Sequence, residues 1–305
     1  VRRRNIGYFK SERACAHFLS VYQTAMAQLP PVSESTDVPT SFGTVCVYRF
    51  DGPSSALDPP VVLLPGRNAS TPMWRANIPA LLEHRTVIAI DLLGEAGVSV
   101  QDEPITGPDD EAQWLDETLA GLGLDRAHVM GVSIGGWTAV NYAVRRPGRA
   151  ASLTLLDPVM TFAPIPVKAL LVSAGMFLSV PESVRRRVFS WISGGADVDE
   201  SLPEAALISA GSTDFALRKA MPRSFTDDEL RSLDIPVLAL IAGRSVMLDA
   251  ALATARARSL LPHGLIELWA DASHAINGEY PAEIAERAAA FWADVDAAGN
   301  GVSSR

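Results

Sequence analysis

Cysteine is nearly absent from the chain: 305 residues contain two, Cys15 and Cys46. Two thiols cannot build a disulfide framework. Neither sits in a CxxC or His-rich neighbourhood that would suggest a metal site, so both are expected in the core. Basic charge is short as well, with 26 Lys and Arg against 35 Asp and Glu, a net charge of −9. That balance excludes a general affinity for nucleic acid or an anionic membrane. Long hydrophobic runs are missing. The longest, "ALLVSAGMFLSV" at 169–180 between Lys168 and Pro181, is too short to span a bilayer. Internal repeats and low-complexity tracts are missing too. What remains is an ordinary globular composition, 48% apolar and 20% charged, in a chain long enough for one large core with an insertion.

The N-terminal stretch, "VRRR" followed by "ACAHFLSVYQTAMA", imitates a secretion signal with an Ala-Met-Ala cleavage site. Lys10, Glu12 and Arg13 interrupt it, and His17 and Gln23 break its apolar region. It is read instead as an amphipathic helix capped by Ser11, with Ala14, Phe18, Val21, Tyr22 and Ala25 on one face. The expected location is cytoplasmic, with secretion as the alternative.

Beyond the linker "PPVSESTDVP", strand-like and helix-like segments alternate. "GTVCVYRF", "PPVVLLPG", "RTVIAID", "RAHVMGV", "ASLTLLDP", "IPVLALIAG" and "GLIELWAD" read as strands. "TPMWRANIPALLEH", "PDDEAQWLDETLAGLGL", "IGGWTAVNYAVRR", "DAALATARARSLL" and "PAEIAERAAAFWADV" read as helices between or after them. The alternation predicts an α/β fold with a mostly parallel central sheet covered by helices on both faces. It lapses between about 158 and 232, where "MTFAPIPVKALLVSAGMFLSV", "ESVRRRVFSWISGG" and "EAALISAGSTDFALRKAM" read as helices without an intervening strand. The expected organisation is an N-terminal helix and linker over 1–36, a core from 37–158 and 232–305, and an inserted helical cap over 159–231.

Ligands of such sheets bind at the carboxyl ends of the strands. "GVSIGG" at 131–136 stands there, between a buried strand and a helix. The pattern Gly-x-Ser-x-Gly in a strand–turn–helix context is that of a nucleophile elbow, with Ser133 at a strained position and Gly131 and Gly135 small enough to avoid it. The helix that follows offers free N–H groups and its positive dipole end to a developing oxyanion.

A serine hydroxyl needs a base, and the base an orienting partner. Of the five histidines, His17 lies on the N-terminal helix, while His84, His128 and His263 lie toward the amino edge of the sheet. His274, in "ADASHAING" beyond the last strand, alone shares an edge with Ser133. An oxyanion hole needs two converging backbone N–H donors. Ile134 supplies one, and Arg67, in "PGRN" after the strand "VVLLPG", is expected to supply the other.

These residues carry a resemblance. The chain is similar to serine hydrolases of the α/β-hydrolase fold, and to bacterial carboxylesterases among them. The likeness runs through "SFGTVCVYRFDGP", "VVLLPGRNASTPMW", "IAIDLLGEAGVS", "MGVSIGGW" and "ASHAINGEYP". Members usually carry His-Gly where this chain has Pro65-Gly66. The resemblance implies Ser133 as nucleophile, His274 as base, and Arg67 and Ile134 as oxyanion donors. It also implies an acid after the strand "PVLALIAG", but Ser245 or Val246 stands there. Asp157, at the end of "LTLLDP", is the expected replacement. Asp249 is the alternative, although it also suits a helix N-cap, and a chain with no working acid is the third possibility. Asp91 is read as a loop organiser and Asp271 as the residue fixing the His274 loop.

The expected reaction is hydrolysis of an ester through an acyl-enzyme, with no cofactor and no metal. Apolar cap residues, with Met73 and Trp74 after the oxyanion loop, point to a small apolar substrate. Thioester cleavage, C–C bond hydrolysis and acyl transfer are alternatives on the same residues. A ligand-binding protein that has lost its chemistry is the alternative from another class. A nucleic-acid partner and stable membrane insertion are not expected.

Overall fold

The computed structural model describes residues 5–53, 58–176, 182–195, 202–219 and 221–303. Helix α1 (Glu12–Met26) opens on Ser11, whose side chain accepts from the Ala14 N–H, and buries Phe18, Tyr22 and Ala25. Strands β1 (Glu34–Thr40) and β2 (Gly43–Phe50) form a hairpin, and the turn between them uses Gly43 at φ 138°. Part of the expected linker is therefore sheet. An edge strand tolerates the polar residues and Pro39 that hid it, because one side of it faces no neighbour.

β3 (Val61–Leu64) and β4 (Val87–Ile90) follow. Between them, the expected single helix is a 3₁₀ turn, Thr71–Trp74, and a short α2 (Ile78–Leu82), each with proline in its first turn. Proline at 79 has no N–H and starts a new helix more readily than it continues an old one. Helix α3 (Pro108–Gly121) leads to β5 (Ala127–Val132), α4 (Ile134–Arg145) and β6 (Ala150–Leu156). The sheet resumes with β7 (Val237–Ala242) and ends with β8 (Gly264–Trp269). The strand order is β8-β7-β6-β5-β3-β4-β2-β1, and a two-residue strand, Val100–Gln101, pairs with β2. All pairs from β8 to β4 are parallel, whereas β4–β2 and β2–β1 are antiparallel.

β3 shows why its run is wholly apolar. Val62 and Leu64 join the core on one face, with Trp114 and Tyr142, while Val61 and Leu63 join the other, with Phe291 and Trp292. A strand covered on both faces has no solvent side to hold polar residues.

Between β6 and β7 stand α5 (Val167–Met176), α6 (Glu182–Ile192), α7 (Pro203–Asp214) and α8 (Asp227–Arg231). Helix α5 begins only after Pro164 and Pro166, which disfavour helix in the residues before them, and the end of the expected helix, 177–180, lies outside the described residues. The helix expected to run through 221 stops at Asp214, because Phe215–Ala216 pairs antiparallel with Tyr8–Phe9. The partner of that two-residue strand is far away in sequence. Helix α9 (Ala250–Leu260) precedes β8, and α10 (Ile276–Glu279) and α11 (Pro281–Ser303) close the chain.

Candidate active site

β5 and β6 are neighbours, so their carboxyl ends present consecutive residues side by side. Ser133 follows β5 with φ 55° and ψ −117°, and its N–H is held by the Leu156 carbonyl at 3.0 Å. That backbone conformation is sparsely populated for a residue with a side chain, and the packing around it must hold it there. The flanking glycines are required sterically. A Cβ on Gly131 would fall 2.3 Å from the Gly135 carbonyl oxygen, and one on Gly135 would fall 2.0 Å from that of Leu64. Helix α4 starts at the next residue, so the Ile134 N–H has no acceptor within the helix. The β3 loop arrives from the other neighbouring strand, close enough that a Cβ on Gly66 would contact the Ser133 Cβ at 3.7 Å. Arg67 follows at that point.

Asp157, after β6, also has positive φ, 42°, and its N–H is tied to the Leu240 carbonyl. Its carboxylate is fully buried. Oδ1 accepts from the Ala242 N–H at 3.0 Å, and Oδ2 accepts from the Ser245 hydroxyl at 2.6 Å. His274 lies beyond β8, with Nδ1 2.6 Å from Asp157 Oδ2 and Nε2 3.0 Å from Ser133 Oγ. One imidazole thus spans the serine and the carboxylate.

Asp249 lies elsewhere. Its carboxylate caps α9 by accepting from the Leu252 N–H at 2.9 Å. Asp271 is exposed, and the His274 loop is fixed by a residue the sequence reading passed over. Glu279 accepts from the Ser273 N–H at 2.7 Å and from the Ser273 hydroxyl at 2.6 Å. The spacing to the first turn of α10 was its only signal. Asp91 is fully buried and joins two loops, accepting from the Thr71 N–H and hydroxyl and from the Val98 N–H. Burial pushes its carboxyl up, against the pull of those hydrogen bonds.

With this geometry in hand, similarity to known proteins decides the family likeness. Residues 59–177 match the family described as alpha/beta hydrolase fold. The Bacillus subtilis carboxylesterase nap is 27% identical over 90% of this chain and 92% of its own length. Carboxylesterase YbfK of the same organism is 26% identical over 93% and 96%. The crystal structure of naproxen esterase (carboxylesterase NP) from Bacillus subtilis superposes with a TM-score of 0.84 at 27% identity, covering 93% of this chain and 99% of that one. The chain has the α/β-hydrolase fold and is a carboxylesterase-like hydrolase.

Beside its elbow the hydrolase has a cavity of about 200 Å³, lined on its apolar side by Leu92, Ile105, Ile134, Trp137 and Met221. Arg67 lines it too, with its guanidinium 3.8 Å from the buried Glu95, and Lys219 pairs with Glu111 at 2.7 Å. Each of these two cations thus has a carboxylate beside it. Neither of the two expected pocket residues lines this cavity. Met73 packs at the elbow, where its sulfur accepts from the Gly66 N–H at 3.1 Å. Trp74 is not a pocket residue: it is fully buried among Phe50, Leu63, Ile78 and Leu81, because the 3₁₀ turn directs it under the sheet. Among the described residues, no group of His, Cys, Asp and Glu side chains is arranged to hold a metal ion, and no helix is long and apolar enough to cross a membrane.

Proposed function

We propose that the hydrolase cleaves esters through an acyl-enzyme on Ser133. The observation that carries this reading is the single imidazole of His274 held between Ser133 Oγ and Asp157 Oδ2. Asp157 accepts the Nδ1 proton, which leaves the Nε2 lone pair facing the serine hydroxyl. Ser133 Oγ attacks the ester carbonyl as its proton passes to Nε2. The imidazolium then gives that proton to the departing alkoxide, and water repeats the sequence to release the acid. The Ile134 and Arg67 N–H groups receive the oxyanion, which removal of one such donor would destabilise by about 3–4 kcal/mol.

The segment 159–231 acts as a cap, and the cavity beside Ile134 receives an apolar group of the substrate. Its apolar wall and its internally paired charges favour a small neutral ester over a charged one. The test is covalent labelling with a fluorophosphonate, read by intact mass, beside turnover of an ester series of graded acyl length. Labelling of the native chain and none of Ser133→Ala is expected. A native chain that neither labels nor turns over any ester would leave a binding protein in its place.

A further inference from the structure

The loop after β7 is built around the same carboxylate as the histidine. Gly243 N–H donates to the Trp269 carbonyl and Arg244 N–H to that of Ala272, so this loop is tied to the one that carries His274. Ser245 follows, half-buried, with its N–H on the Ala242 carbonyl. Its hydroxyl accepts from the Met247 N–H at 3.2 Å, which leaves its proton directed at Asp157 Oδ2, 2.6 Å away. That is the oxygen on which His274 Nδ1 also rests at 2.6 Å. We infer that Ser245 is a positioning residue that holds the Asp157 carboxylate toward His274. The inference rests on the reading of Asp157 as the orienting acid.

The physical reason is the scarcity of donors. Asp157 is fully buried, and its partners are the Ala242 N–H, the Ser245 hydroxyl and the His274 ring, with no Lys or Arg among them. A buried carboxylate has lost its water, so the hydrogen bonds that replace it fix its orientation. Loss of the Ser245 hydroxyl removes one of these three donors from the oxygen pair. It also frees Oδ2 to leave the line of the Nδ1–H bond. Hydrogen bonds to charged groups are the strong ones, so the loss should be felt in the step where His274 becomes cationic.

The experiment compares Ser245→Ala, Ser245→Thr and Asp157→Asn. Each is read by kcat and KM on one ester and by fluorophosphonate labelling rate, with thermal unfolding as the check on folding. Ser245→Ala should lose on the order of tenfold in kcat with KM nearly unchanged, and Ser245→Thr should restore most of it. Asp157→Asn should lose on the order of ten-thousand-fold. An inactive Asp157→Asn beside a folded Ser245→Ala of unchanged kcat would overturn the inference. An Asp157→Asn variant of normal activity would instead overturn the reading of Asp157 itself.

Discussion

Thr71 delivers both its backbone N–H and its hydroxyl to one oxygen of Asp91, at 2.7 and 2.8 Å, while the other oxygen of Asp91 takes the Val98 N–H at 3.0 Å. The loop after β3, which carries Arg67, is therefore fastened to the end of β4. The expected consequence of Asp91→Ala is three donors without acceptors, the two of Thr71 fully buried and that of Val98 partly so, at about 1–3 kcal/mol each. Chemical denaturation should show a loss of at least about 3 kcal/mol, and kcat should fall further than KM rises. Stability unchanged in Asp91→Ala would show that the loop holds itself.

Gly135→Ala should not yield an active enzyme. The added methyl would lie 2.0 Å from the Leu64 carbonyl oxygen and 2.6 Å from that of Pro65, both backbone atoms of the neighbouring β3 strand and loop. The elbow must open, moving Ser133 away from His274. Fluorophosphonate labelling that persists at the native rate in Gly135→Ala would contradict this geometry.

His128 sets a pH dependence of stability at the opposite edge of the sheet. It is fully buried between Ser152 Oγ and Asp296, and burial holds its imidazole below the ordinary range. The unfolded chain therefore binds a proton near pH 6.5 that the folded chain still refuses. Stability is full above that pH and falls as pH drops below about 6.5, by at most about 1.4 kcal/mol per unit from this group. His128→Gln should be less stable at pH 7.5 but flatter between pH 7 and 5, as measured by urea unfolding. Equal slopes in the two chains would assign the dependence to other groups.

Met221 lines the cavity yet is more than half exposed, so it can be enlarged without repacking the core. Met221→Trp should lower kcat/KM for long-acyl esters relative to acetyl esters by on the order of tenfold, with little change in melting temperature. An unchanged ratio would mean that the acyl group lies outside this cavity.

Short-range features were legible in the chain. The elbow could be read because the Gly-x-Ser-x-Gly pattern and its strand–turn–helix flanks lie within a few residues, although the atom that excludes a side chain at Gly135 is the distant Leu64 carbonyl oxygen. The wholly apolar "VVLL" announced a strand buried on both faces, and Ser11 announced the start of α1. Features whose partners are distant in sequence were not legible. Glu34–Thr40 looked like a linker because half of its hydrogen bonds are satisfied by the hairpin with β2 and it needs no apolar alternation. Phe215–Ala216 extended a helix on paper because Tyr8–Phe9 could not be seen beside it.

The sequence by itself determined the order of the strands from β2 to β8, the place of the serine turn and the edge of the sheet where a histidine could reach it. Periodicity and turn sterics act over a few residues, and these features depend on nothing else. Only the tertiary structure decided which carboxylates touch what: Asp157 on His274, Asp249 on its own helix, Glu279 rather than Asp271 on the His274 loop. It also placed Ser245 on Asp157 and sent Trp74 into the core. Those contacts depend on the neighbour relations of β5, β6 and β7 and on loops fastened to one another across the sheet edge. A serine after β7 reads as any loop residue until β6 lies beside β7 and brings a carboxylate within 2.6 Å of its hydroxyl.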